Sequence, residues 1–124
     1  MKRIRREKGI EIEDVGIDIS SLNDEFLHRL AEITESEIRK ALEEVLGPRI
    51  LKYLLMVDVY VDSMLNVVVD LAVDSHVPPY ISLESVVDRA IKRGLDKAAA
   101  YVRAYARELR EGSEERERGS GANA

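Results

Sequence analysis

Two stretches in the middle of the chain alternate apolar and polar residues with a period of two. Leu55, Val57, Val59 and Val61 share one side while Asp58, Tyr60 and Asp62 take the other. Leu65, Val67, Val69, Leu71 and Val73 then repeat the pattern against Asn66, Asp70 and Asp74. Strict alternation and β-branched content predict two strands, and Asp62-Ser63-Met64 is a short polar turn that joins them into a hairpin. Ahead of the hairpin the spacing lengthens to that of a helix. Phe26, Leu27, Leu30, Ile33, Ile38, Leu42 and Val45 form its apolar stripe. Its start is the cluster Ser20-Ser21-Leu22-Asn23-Asp24-Glu25, rich in side chains that accept bonds from first-turn amides and in carboxylates suited to the positive helix end. Gly47-Pro48 ends it. Thr34-Glu35-Ser36-Glu37 has the form of a capping box, so the segment is either one helix or two shorter ones meeting there.

Behind the hairpin, His76-Val77-Pro78-Pro79-Tyr80 is a rigid connector, because proline cannot donate to a ladder and restricts the residue before it. Ser82 then caps a long helix with Glu84 in its first turn. Leu83, Val87, Ala90, Ile91, Leu95, Ala98, Val102, Tyr105 and Leu109 form its apolar stripe, and charged residues from Asp88 to Arg107 occupy the other face. Gly94 lies on the stripe, where glycine costs about 1 kcal/mol relative to alanine. Either a close backbone approach to the sheet or a kink would account for it.

The ends read differently. Residues 1–9 are basic, without apolar periodicity, and are expected to form a flexible arm. Ile10 to Ile19 alternates in two fragments, Ile10/Ile12 and Val15/Ile17/Ile19, with a phase slip near Asp14 that marks a bulge or a break in a strand. Residues 112–124 have the Gly-, Ser- and charge-rich composition of a disordered tail, which leaves residues 10–111 as a single domain. The order is (β)-α-β-β-α: an α+β two-layer sandwich in which two helices cover an antiparallel hairpin. A two-stranded hairpin is marginal in water, so the sheet is expected to gain strands, from residues 10–19 or by dimerisation.

Composition narrows the function classes. A chain of 124 residues is one domain's worth. Its charged share of 35% exceeds the ~25% of typical soluble domains, and thirteen Arg against six Lys, with no Cys, Trp or Gln, is a thermophile-like balance. The net charge of −5 argues against general affinity for nucleic acid or anionic membranes. Without cysteine there are no disulfides, thiol nucleophiles or thiolate metal sites. The longest unbroken apolar run, Leu54 to Val57, is far below the ~20 residues of a membrane span. The basic start has no apolar stretch behind it, so the expectation is a cytoplasmic protein.

Candidate chemistry is sparse. His28 and His76, the only histidines, lack any nucleophile-elbow context and read as surface or packing residues. Asp58, Asp62, Asp70 and Asp74 share the polar side of the hairpin, but without a D-x-D-x-D-G loop they read as a solubilising face rather than a metal site. The phosphate-binding glycine motifs are absent, as is the G-x-x-G loop of KH modules. No enzyme activity, metal, cofactor or small-molecule substrate is expected. Two surfaces remain. Met56, Tyr60, Val68 and Ala72 lie among Asp58 and Asp70, a mixture that suits either an interface covered on assembly or a tolerant surface. Tyr101 and Tyr105 either dock a partner helix or finish the core. Lys2, Arg3, Arg5, Arg6 and Lys8 are the candidates for phosphate contact.

The first helix, the Leu55–Val61/Leu65–Val73 hairpin, the proline connector and the helix beginning Ile81-Ser82-Leu83-Glu84-Ser85-Val86-Val87-Asp88-Arg89-Ala90 together resemble an archaeal domain-of-unknown-function family. That family is typically encoded beside prefoldin beta and the small dimerising subunit of the KEOPS tRNA-modifying complex. The resemblance spans roughly residues 22–110 and is one of pattern. The KEOPS subunit has a β-α-β-β-α order, similar to the order read here. The resemblance implies a paralogue of that subunit: a non-catalytic accessory or dimerising component of threonylcarbamoyladenosine machinery. It would form a homodimer, or a heterodimer with a paralogous small subunit, with indirect tRNA association. The alternatives are an RNA-binding module using the basic arm and a prefoldin-associated factor.

Overall fold

A computed structural model describes residues 1–12 and 16–122, with side chains through residue 112. The hairpin forms as the alternation predicts: β2 spans Ile50–Val61 and β3 spans Leu65–Ser75. The Asp62 carboxylate accepts from the Met64 amide (2.8 Å) and the Asn66 side-chain amide (3.0 Å), which tightens the turn between them. The third strand is not the expected one. β1 spans Lys2–Ile10, the segment whose charge predicted a flexible arm, and it pairs antiparallel with β3 along its whole length. The sheet order is β1-β3-β2, so the latest strand in sequence is the central one.

The reason lies in which side chains point inward. Ile4 and Ile10 are buried, while Lys2, Arg6 and Lys8 occupy the positions that share their face. Long basic side chains can lay their stems on apolar surface and keep their charged heads in water. Lys2 Nζ reaches Glu84 (3.1 Å) and Arg6 Nε reaches Asp88 (3.3 Å) on the helix above. Strand alternation is present but disguised by lysine and arginine at inward positions. Beyond Ile10 the chain leaves the sheet, and the phase slip near Asp14 falls at residues 13–15, outside the described residues.

Helix α1 spans Asp24–Val45 without interruption. Asn23 caps it by accepting from the Phe26 amide (2.8 Å). The capping-box sequence does not break it, because the Thr34 hydroxyl donates back to the Leu30 carbonyl (2.8 Å) inside the helix. The buried stripe is Phe26, Leu30, Thr34, Ile38, Ala41 and Leu42, while Val45 is half exposed at the end. Helix α2 spans Leu83–Ala122, with the Ser82 hydroxyl accepting from the Ser85 amide (3.2 Å). Its backbone runs helical through most of the expected disordered tail; residues 123 and 124 lie outside the described residues. Glu and Arg are good helix formers, and extending an existing helix avoids the nucleation cost.

The two helices cover one face of the three-stranded sheet, giving the α+β two-layer arrangement. Leu65, Val67, Val69, Leu71 and Val73 of the central strand show no exposure on that side. Gly94 marks the closest approach, and the partner is α1 rather than the sheet: a Cβ there would meet Ile38 and the Thr34 carbonyl. Arg93 beside it clamps the pair, donating to Glu44 (2.8 Å) and Glu37 (3.0 Å) on α1.

Candidate interaction surface

Because α1 and α2 occupy one face, the other face of the sheet lies open. Its central row comes from β3: Asn66, Val68, Asp70 and Ala72. Register sets Arg3 and Leu54 on either side of Ala72, Arg5 and Met56 beside Asp70, and Glu7 and Asp58 beside Val68. Six of the residues singled out from the sequence (Met56, Asp58, Tyr60, Val68, Asp70 and Ala72) therefore share one surface. Tyr101 and Tyr105 do not join them. They lie in the helical layer, where they stack on Phe26 with ring centroids 5.8 and 4.4 Å away. The Tyr105 hydroxyl donates to the Ser21 carbonyl (3.1 Å), so this pair finishes the core.

Polar contacts tie the edge strands across β3. Arg3 makes a two-pronged contact with Asp70, at 2.8 and 2.6 Å. The Tyr60 hydroxyl donates to Glu7 (2.9 Å), bridging β2 to β1 over the central strand. Hydrogen bonding to Arg3 holds the Asp70 carboxyl below its ordinary value, and the bond to Glu7 pushes the Tyr60 phenol up. Val68 and Ala72 are buried beneath these flanking side chains, at 8% and 6% exposure. Apolar side chains stand exposed beside the charged ones: Met56 is 69% exposed, Met1 65% and Leu54 57%. Met1, Leu54, Met56 and Ala72 line one shallow groove with Arg3 and Asp70. Leu54 and Met1 escaped the sequence reading, Leu54 because it lies inside an apolar run and Met1 because it precedes the unrecognised strand.

The basic residues are divided by the strand they form. Lys2, Arg3 and Arg6 are in contact with carboxylates of this chain, whereas Arg5 and Lys8 have no ion-pair partner among the described residues. The aspartates do not converge: Asp70 faces Arg3, Asp62 closes the turn, and no group of three His, Asp or Glu side chains that could hold a metal occurs among the described residues. His28 and His76 are exposed, His28 beside Glu32 at 3.0 Å. Among the described residues no helix is long and apolar enough to cross a membrane.

Asp62, Asp70 and Glu44 all sit below their ordinary carboxyl values of 3.8, 3.8 and 4.5, held there chiefly by bonds to the Met64 amide, Arg3 and Arg93 respectively. A carboxyl depressed in the folded state stabilises the fold above its unfolded value, and that contribution is lost as pH falls through the folded one. The thermal midpoint should therefore decline as pH drops from about 5 toward 2. Asp70→Asn should flatten part of that decline; a midpoint independent of pH across the range would contradict it.

No family model matches this chain, and no curated protein does. A crystal structure of a protein from the archaeon Thermococcus onnurineus NA1 is similar in fold, with a TM-score of 0.61 and 14% identity, covering 87% of this chain and 99% of that one. At that identity the likeness shows the architecture alone.

Proposed function

We propose that this chain is a non-catalytic subunit of a larger assembly, an interaction module whose open sheet face is covered by a partner. The observation that carries the reading is the row of exposed apolar side chains, Leu54, Met56 and Met1, on a sheet face that the helices leave bare. Exposed methionine and leucine on a rigid sheet, rimmed by Arg3, Arg5 and Asp58, have the apolar-centre and polar-rim pattern of a protein interface. The β-α-β-β-α order supports placing that assembly in the KEOPS class, because the dimerising subunit the sequence resembles has the same order. In this role the chain contributes geometry rather than chemistry.

Light scattering of the purified protein with and without a KEOPS dimerising subunit tests the reading. The mixture should give a complex at micromolar concentration. Met56→Asp should weaken it at least about tenfold, since it would bury an unpaired charge, with an unchanged circular-dichroism spectrum. Failure to associate with that subunit would remove the KEOPS placement. A second reading, nucleic-acid contact by β1, draws on the row of cations along a sheet edge. Under it, Arg5→Gln with Lys8→Gln should lower tRNA affinity and flatten its salt dependence; an unchanged salt slope would dismiss it.

A further inference from the structure

β1 is an edge strand: among the described residues it pairs only with β3. Its ladder runs from Lys2 to Ile10 without a register shift, and the strand holds no proline. The N–H and C=O groups of its outer side therefore present a regular template for another strand. Lysine and arginine along an edge commonly repel such pairing, but three of the five basic residues here are neutralised within the chain. Lys2 bonds to Glu84, Arg3 to Asp70 and Arg6 to Asp88. Arg5 and Lys8 have no such partner among the described residues; Arg5 is on the open face and Lys8, half-buried, on the helical face. Between this strand and α2 lies a cleft of about 360 Å³, with the buried Ile91 and Leu95 among its walls. Of the carboxylates that line it, Glu7 is bonded to Tyr60 and Asp88 to Arg6. That leaves Asp96 against two unpaired cations, Lys8 and Lys92.

We infer that this edge and its cleft dock an extended acidic segment of a partner protein, added to the sheet as a fourth strand beside β1. Side chains of an added strand alternate between the two faces of the sheet. Those on the helical side enter the cleft, where apolar ones cover Ile91 and Leu95 and carboxylates reach Lys8 and Lys92. Those on the open side reach Arg5. The main chain supplies affinity through the ladder, and the alternating side chains supply specificity. A basic strand would set its own cations against Arg5, Lys8 and Lys92 and is refused by the same charges. Nucleic acid would use the cations alone, leaving the backbone edge and the apolar walls unused, so the observations favour a protein segment. The inference goes beyond the assembly reading, because it gives the chain a second contact surface apart from the open face that carries Leu54 and Met56.

The probe is a fluorescein-labelled peptide of alternating Glu and Val, matching β1 at 9 residues and titrated with the full chain by fluorescence anisotropy. Saturable binding in the micromolar range is expected. The net charge of −5 opposes it, so the affinity reports the local edge rather than bulk attraction. Arg5→Gln with Lys8→Gln should weaken binding about fivefold or more. Lys92→Glu should weaken it about threefold or more. Lys92 is exposed on α2, outside both the ladder and the open sheet face, so the circular-dichroism spectrum of that variant should match the parent. A peptide of equal charge with proline in place of two valines cannot complete the ladder and should bind at least about tenfold more weakly. Equal affinity for the two peptides overturns strand addition and leaves only a charge contact. Absence of binding at millimolar peptide, or binding indifferent to all three cations, overturns the inference; tRNA binding that depends on Arg5 and Lys8 would then support the nucleic-acid reading instead. The assembly reading is judged separately, by capture of a KEOPS subunit on the open face, which Lys92→Glu should retain.

Discussion

Deletion of residues 1–9 is expected to abolish the folded state rather than to trim a flexible arm. These residues supply nearly all of β1, and every position from Lys2 to Ile10 has a partner on β3. Their loss turns the central strand into an edge and removes Ile4, which is 7% exposed. Burial of one such side chain is worth roughly 1.5–3 kcal/mol. The ladder adds about 0.5–1.5 kcal/mol for each lost bond, and opening of the β3 flank adds more. Against a total stability of about 5–15 kcal/mol for a domain, that is enough to unfold it. Circular dichroism and a thermal melt check this; a cooperative melt near the parent midpoint would mean that β1 contributes little. Truncation confounds loss of charge with loss of fold, so the neutral pair Arg5→Gln and Lys8→Gln, which keeps the strand, is the informative variant for nucleic-acid binding.

Gly94→Val should cost about 3 kcal/mol, and Gly94→Ala about 1–2 kcal/mol. In isolation alanine would favour the helix by about 1 kcal/mol. The site reverses that sign. A Cβ on residue 94 would lie 2.5 Å from Ile38 Cγ1, 2.8 Å from its Cδ1 and 3.3 Å from the Thr34 carbonyl oxygen. Ile38 is fully buried and cannot swing aside, and the carbonyl belongs to the α1 backbone. The helices must separate, and Arg93 ties them to each other through Glu37 and Glu44 at this level. Urea denaturation with a double-mutant cycle measures the effect. Ile38→Ala alone opens a cavity costing about 2–5 kcal/mol, and its penalty should shrink in the Gly94→Ala background because the new methyl fills part of the space. Equal stability of Gly94→Ala and the parent would show that the contact is slack.

How far the sequence was legible differs from element to element. The hairpin was readable because β3 is covered on its helical side and β2 follows the same alternation, so the apolar period of two survives. The helices were readable because Asn23, Ser82 and Gly47-Pro48 punctuate them and the stripes keep their spacing. β1 was not, because its inward positions hold Arg6 and Lys8, which lie along the core edge while looking polar to any periodicity argument. The candidate surface was half legible. The alternation of β2 and β3 placed Met56, Asp58, Tyr60, Val68, Asp70 and Ala72 on one face. Arg3 and Glu7, which bond to Asp70 and Tyr60, come from a strand more than fifty residues away in the chain. Tyr101 and Tyr105 read equally well as interface or core, and only their stacking on Phe26 decides between the two.

The sequence by itself therefore determined the two helices, the hairpin and the shortage of strands around it, since periodicity, caps and turns act over a few residues and are written locally. Only the tertiary structure decided where the missing strand comes from, that Gly94 meets α1 rather than the sheet, and which face remains open. Those outcomes depend on contacts between distant segments: whether a basic stretch can lay its side-chain stems along a core edge, and where two helix backbones come close enough to exclude a Cβ.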